Sequence, residues 1–362
     1  MTRIDLQLSP APSGTTILGG GFVALDVVDS GHGQFAAAGG SCGNVLAMLA
    51  WLGWSSAPVA RLGADPAGDF VRKDLKAFGV DLRHVSTTAG VQTPVVLQRF
   101  IEDHQGHRQH RFSLVCPECG AWLPRFRSIV LSQAAQVMAE TAPKCFYFDR
   151  VSPALLRLAE WVRREQGLVF FEPTSIGDEA LFRRAIDTCH VLKYSDERLG
   201  SVEDLADARQ PALIVRTRGA DGLDARWQGR WSQQMAFEVL QVVDAAGSGD
   251  WCSAGLIHVI GQAGSSTLPT LQQADIERGL RLGQALAALN CSYEGARGLM
   301  YSAPNLEAVN VLLRRMTGGH GINCPAPDPE ARRAKADFCQ LCSGKGVKSK
   351  VSPSRKSAKA AA

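Results

Sequence analysis

The run Val242-Val243-Asp244-Ala245-Ala246-Gly247-Ser248-Gly249-Asp250 sets bare backbone beside a carboxylate. A turn of Ala, Gly, Ser and Gly leaves its N–H groups uncovered, because no bulky side chain shields them. Val239 to Val243 reads as a strand leading into that turn, and Gly249 to Gly261 as an apolar helix leaving it. N–H groups at a helix start form an anion site, and the macrodipole strengthens it. A phosphate is the natural guest. Asp250 falls in the first turn of the same helix, where a bound phosphate would repel it. Chemistry supplies a reason for the pairing. Asp250 takes a proton from a hydroxyl while the amides of Ala246, Gly247, Ser248 and Gly249 stabilise charge on a transferring phosphoryl group. A plainer reading also fits: a Gly-rich turn whose Asp complements the dipole.

A second group of polar residues lies far upstream. Asp26 interrupts the apolar stretch 17–29, which reads as one strand, and a carboxylate there is costly unless something pairs with it. Gly39 and Gly40 let backbone approach a ligand closely. Asn44 opens a helical stretch running to Leu52; its amide donates and accepts, which suits a polyol, or else it caps the helix.

Ten cysteines in a chain expected to be cytoplasmic argue against a disulfide framework. Cys42, Cys145, Cys189, Cys252 and Cys291 sit singly in apolar or small-residue settings and read as buried thiols. Cys116-Pro-Glu-Cys119-Gly120 and Cys339-Gln-Leu-Cys342 are C-x-x-C knuckles. Together they supply the four thiolates of a structural zinc site, or they are two unrelated reduced pairs. His104, His107 and His110 read as a polar hairpin tip rather than a metal site.

These residues need a scaffold, and its pattern is regular. From Cys145 to Lys193 short apolar runs alternate with helical ones: 145–148, 154–166, 168–172, 179–187 and 190–193. That alternation means βαβ units and a mostly parallel sheet, with ligand loops at the carboxyl ends of its strands. Asp149, Arg150 and Glu172 follow such strands and are placed to line a cleft. A further strand, 212–216, precedes the turn Thr217-Arg218-Gly219-Ala220-Asp221-Gly222. Stretches 91–100 and 110–115 alternate as two strands of a hairpin. Helices are expected over 275–290 and 305–316, with Gly295-Ala296 between them.

Several of these motifs resemble those of the PfkB/ribokinase family of sugar and nucleoside kinases. Asp244 to Asp250 is similar to its D-T-x-G-A-G-D signature, with Ala245 in place of Thr and Ser248 in place of Ala. Gly39 to Asn44 resembles its G-G-x-x-x-N signature, and Ala60 to Asp69 its V-G-x-D-x-x-G segment. Lys193-Tyr194-Ser195-Asp196-Glu197 is similar to the N-x-x-E segment in its K-x-S-D-E form, with Arg198 at the Glu position. The resemblance implies a three-layer α/β/α, ribokinase-like fold with a mostly parallel central sheet and a small β-lid, its strands near 22–38 and 91–115. It implies an ATP-dependent phosphotransferase acting on a hydroxyl of a sugar, sugar acid or nucleoside, with Asp250 as general base. Asp26, Gly39, Gly40 and Asn44 would hold the acceptor. Lys193, Ser195, Thr217, Gly219 and Gly222 would lie along ATP, the helices over 275–290 and 305–316 with Gly295-Ala296 would wall its adenine, and Glu197 would hold Mg2+ through water. Lids of the family often pair into homodimers. Ala245, Arg198 and the cysteine knuckles motivate an alternative, a non-catalytic nucleotide- or sugar-binding scaffold of the same fold.

Composition bounds the rest. Apolar residues make up 45% and charged ones 20% of 362 residues, ordinary for a globular enzyme. No apolar run approaches the roughly 20 residues of a membrane helix, so the expected location is cytoplasmic. The net charge of +4 is uneven: residues 332–362 hold nine Lys/Arg against one Asp, and the remainder is mildly acidic. The expected division is a flexible N-terminus over 1–16, a kinase domain over 17–318, an extension carrying the second knuckle over 319–344, and a basic disordered tail over 345–362. Such a tail is solvated, or it touches a polyanion loosely.

Overall fold

Short apolar runs that are buried on both faces belong in a parallel sheet, and this chain builds its body on them. The computed structural model describes residues 6–29, 34–102, 108–200, 202, 211–318 and 341. The first strands and helices are β1 (Thr16–Gly20), β2 (Ala24–Asp29), β3 (Gln34–Gly39), α1 (Ser41–Trp51), β4 (Ser55–Leu62), α2 (Pro66–Ala77), β5 (Val85–Thr87), β6 (Val95–Glu102) and β7 (Arg108–Ser113). The βαβ units follow as α3 (Leu131–Glu140), β8 (Cys145–Phe148), α4 (Pro153–Arg164), β9 (Leu168–Phe171), α5 (Glu179–Thr188), β10 (Val191–Ser195), α6 (Asp196–Leu199) and β11 (Leu213–Thr217). A hairpin of β12 (Leu223–Trp227) and β13 (Arg230–Gln234) precedes α7 (Ser248–Ile260), α8 (Gln273–Asn290), α9 (Gly298–Ser302) and α10 (Leu306–Thr317).

The main sheet runs β13-β12-β11-β10-β9-β8-β1-β4-β5. It is parallel from β5 to β11 and antiparallel in the β11-β12-β13 edge. Alternate side chains of one strand feed opposite layers. Cys145 and Tyr147 join the core beneath α1, α2, α7 and α8, whereas Phe146 and Phe148 join the core beneath α3, α4 and α5. This is the expected α/β/α body. The lid is a separate four-stranded sheet of order β3-β2-β6-β7.

Residues 17–29 are not one strand. Gly21 breaks the run at φ +151°, and a Cβ there would stand 1.7 Å from an Asp149 oxygen. The Phe22 N–H is donated to Asp149 at 2.8 Å. The chain therefore leaves the main sheet after β1 and re-enters the lid as β2. The expected strand at Val239–Val243 is absent as well. Leu240 and Val242 are exposed, and the N–H groups of Val243 and Asp244 are donated to the Cys291 carbonyl at 2.7 and 3.2 Å, not to a ladder. The expected flexible N-terminus is docked from Leu6 onward. Leu6 and Leu8 are buried, and Asn310 clamps Leu8 by accepting its N–H at 2.7 Å and donating to its carbonyl at 2.9 Å. No helix among the described residues is long and apolar enough to cross a membrane. The basic tail and the tip carrying His104 and His107 lie outside the described residues.

Candidate active site

Gly247 precedes α7 in the left-handed region at φ +75°, and a Cβ there would meet the Ala296 carbonyl oxygen at 2.4 Å. Only glycine makes this turn without strain. Asp244, buried, ties the turn at both ends: it accepts the Ala246 N–H at 2.6 Å and the Gly295 N–H at 2.7 Å. The Ala246 amide is thus used within the protein, and the Ser248 N–H faces the Ala245 carbonyl at 3.3 Å. The expected set of four donors narrows to two. Gly247 and Gly249 keep N–H groups with no hydrogen-bond partner among the described residues. Ser248 Oγ turns back to the Ala245 carbonyl at 2.7 Å.

Asp250 is 8% exposed and faces α1, where Asn44 Nδ2 donates to its Oδ2 at 2.8 Å. Asn44 makes no cap for α1, so its side chain belongs to the cleft. Burial, and then the charge of Glu172, push the Asp250 carboxyl up to about 7. The Asn44 bond and the cations Lys193 and Arg198 oppose that rise.

Asp26, on the lid strand β2, lines a cleft that Asn44 also lines. Gln98 Nε2, on the neighbouring β6, donates to it at 3.1 Å, and a Cβ on Gly39 would overlap its carboxylate at 2.0 Å. Gly40 has φ +78°, and a Cβ there would meet the Phe22 carbonyl at 2.3 Å. Burial raises Asp26 to about 7, against the opposing charge of Arg297. Asp26, Asn44, Gln98 and Arg297 line one narrow cleft, walled by Val28 and Phe35. Gly295 and Ala296, expected at an adenine wall, border this cleft instead. Three of its polar side chains carry unmet groups: Asn44 Oδ1, Gln98 Oε1, and Arg297 Nε and Nη1. The remaining Arg297 nitrogen donates to Asp74, the Ala38 carbonyl and the Tyr301 hydroxyl. Sequence reading missed Gln98 and Arg297. A lone Arg in the small, apolar run Gly295–Met300 was the available signal for the second.

The nucleotide-side candidates lie at the carboxyl ends of β10 and β11. Lys193 is 1% exposed and its ammonium is bonded to Glu172, so it lies beneath the cleft and not open along it. Ser195 pairs with Thr217 across the strands, and the Thr217 hydroxyl donates to the Tyr194 carbonyl at 3.3 Å. Gly219 and Gly222, at φ +56° and +91°, bound the short turn that follows. Glu197 is exposed at the start of α6. The α6 side chain whose charge acts on Asp250 is that of Arg198.

The knuckle at Cys116 is a turn in which Gly120 N–H is donated to the Cys116 carbonyl at 3.0 Å, with Cys116 buried and Cys119 exposed. Cys339 and Cys342 lie outside the described residues, and the described ones hold no cluster of three or more metal-ligating side chains. The zinc expectation is therefore unsupported. Of the five single cysteines, Cys42, Cys145, Cys189 and Cys252 are buried as expected, whereas Cys291 is only half-buried.

Residues 25–302 match the family described as pfkB family carbohydrate kinase. The chain belongs to the pfkB family. This carbohydrate kinase is similar to fructokinase of Salmonella typhimurium, at 28% identity over 76% of the chain and 93% of that protein. It is similar also to the ATP-dependent ribose-1-phosphate kinase of Halopiger xanaduensis, at 26% identity over 77% and 88%. Among solved structures, fructokinase of Xylella fastidiosa with bound ATP aligns with a TM-score of 0.64 at 20% identity, over 83% of this chain and 99% of that one. The nucleoside kinase of Burkholderia thailandensis with inosine aligns at 0.60 and 18%, over 85% and 98%. The fold of this pfkB kinase is ribokinase-like.

Proposed function

We propose that this kinase transfers the terminal phosphoryl group of ATP to a hydroxyl of a sugar, sugar acid or nucleoside, with Asp250 as the general base. The carrying observation is the approach of Asp250, held by Asn44, to the unpaired N–H groups of Gly247 and Gly249 at the start of α7. The unmet atoms of Asn44, Gln98 and Arg297 beside Asp26 suit a hydroxyl-rich acceptor, since buried polar groups need partners. The relatives named fructokinase and ribose-1-phosphate kinase make sugars the first acceptors to try.

In the step, the acceptor oxygen forms a bond to the γ-phosphorus as the bond to the β,γ-bridging oxygen breaks, and the hydroxyl proton passes to Asp250. The free amides of Gly247 and Gly249 offer hydrogen bonds to the oxygens on which charge builds; one such donor is worth roughly 3–4 kcal/mol. Asn44 orients Asp250 through its amide, and Asp26 with Gln98 orients the acceptor. Asp26 and Gln98 stand on the lid, so its closure would exclude water, the competing acceptor. Thr217, Gly219 and Gly222 lie where the nucleotide phosphates would run. Mg2+ bound with ATP would neutralise phosphate charge. It keeps water ligands and needs only one or two protein carboxylates, a role open to the exposed Glu197. The test is ATP turnover against a panel of ketoses, aldoses, sugar acids and nucleosides. Acceptor-dependent ADP release is expected with at least one sugar; none with any of them would sink the reading.

A further inference from the structure

Under the first turn of α7 lies an ion pair that the proposed step does not use. The Lys193 ammonium bonds to one oxygen of Glu172. The other oxygen accepts from the Tyr147 hydroxyl at 3.0 Å and from Ser253 Oγ. A Cβ built on Gly249 would stand 3.5 Å from Glu172 Oε1 and 3.6 Å from Lys193 Nζ, so the pair lies directly below the backbone that carries the free amides. Ser253, one turn beyond Gly249, ties the pair to the same helix. The two contacts bracket Asp250. A buried ion pair is weak evidence of stabilisation, because apolar residues of similar volume often do as well. Its placement therefore invites a functional account.

We propose that Glu172 is a positioning residue for Asp250: Lys193, Tyr147 and Ser253 fix its carboxylate under the first turn of α7, the turn that carries the base. The proposal rests on the reading of Asp250 as the base. Like charges at close range oppose joint ionisation, so Glu172 makes Asp250 a stronger proton acceptor than an ordinary aspartate. The other groups that act on or respond to Asp250 are Lys193 from β10, Arg198 from α6, Tyr147 from β8, and Asn44 and Cys42 from α1. None of them places a second fixed carboxylate against α7.

The experiment is a cycle of Glu172→Gln/Lys193→Met, Asp250→Asn and the combined variant. The double substitution avoids leaving a lone buried ammonium, and Glu172→Gln alone is carried beside it. Melting temperature is read from pH 5 to 8 without nucleotide, and kcat/KM over the same range. Removing the pair should flatten the pH dependence of melting when Asp250 is present and not when it is Asn. It should also move the acid limb of kcat/KM down by roughly one pH unit while KM for ATP holds. Equal slopes with and without the pair would overturn the proposal and leave the kinase reading intact. The expected melting behaviour in a chain that transfers no phosphoryl group would instead overturn the kinase reading.

Discussion

Asp250 and Asp26 are two carboxyls, each 8% exposed; Asp26 lines the cleft and Asp250 is bonded to Asn44, which lines it too, and burial is the first cause of the rise of each to about 7. Asp250→Asn keeps the shape and removes the proton acceptor. Turnover should fall at least about a hundredfold while thermal-shift responses to acceptor and nucleotide persist. Steady-state kinetics beside ligand melts decide it, and near-wild-type turnover would remove Asp250 from its role. Asp26→Asn should raise KM for the acceptor about tenfold or more and leave KM for ATP unchanged, because its contacts lie in the acceptor cleft. The sign of the stability effect follows from the direction of the shifts. A carboxyl raised from 3.8 to about 7 keeps its proton in the folded state after the unfolded chain has lost it. Its contribution is full below about pH 4 and is lost as pH rises through about 7. Melts of Asp26→Asn should therefore exceed wild type at pH 8 and match it more closely at pH 5. At this scale the sequence was informative for Asp26, Asn44, Gly247 and Asp250, whose types are unusual for their local setting. It was silent on Gln98 and marked Arg297 only by its isolation in a small, apolar run; the roles of both come from what faces them.

α7 and α8 show how an element is held where the chemistry needs it. Gly255 and Gly283 let the two helices touch: a Cβ on Gly255 would stand 2.4 Å from Gly283 Cα, and one on Gly283 would stand 2.4 Å from the Cys252 carbonyl oxygen. Backbone cannot give way as a flexible side chain does, so Gly255→Val overpacks the contact. It should cost roughly 1–3 kcal/mol. A lowered melting temperature by calorimetry, with turnover reduced as the start of α7 shifts, is the expected result. An unchanged melt would show that the helices part freely. Helix limits were largely legible, since Asp65, Ser152, Asp178 and Asn305 each cap the first turn that follows. The misread strand at 239–243 has a physical cause. Its apolar alternation is that of a half-buried strand, yet β13 already occupies the sheet edge and Cys291 takes the N–H groups.

The whole molecule joins two sheets through contacts that the acceptor would complete. Arg297, just before α9, donates to the Ala38 carbonyl on lid strand β3 and to Asp74 on α2, so body and lid share one buried cation. A bound acceptor and Mg-ATP should tighten this arrangement and raise the melting point by mass action. At a concentration about 100 times Kd the gain is about 2.7 kcal/mol. Differential scanning fluorimetry with each ligand alone and both together checks this, and no shift with any sugar would contradict the cleft as an acceptor site.

The spacing of Asp244, Gly247, Gly249 and Asp250 by itself determined a tight turn, a helix start and a carboxylate in the first turn of that helix, because each of these is local backbone geometry. The repeated apolar runs likewise determined a parallel sheet, since both periods are written along the chain. Only the tertiary structure decided which amides stay free. Asp244 takes the Ala246 amide two residues on, and its other oxygen is held by Gly295 from 51 residues away. It alone also sent Lys193 to Glu172 instead of the open cleft. The reason is the same in both cases: a polar group removed from water bonds to whatever the fold brings within reach, and reach is a property of the packed chain.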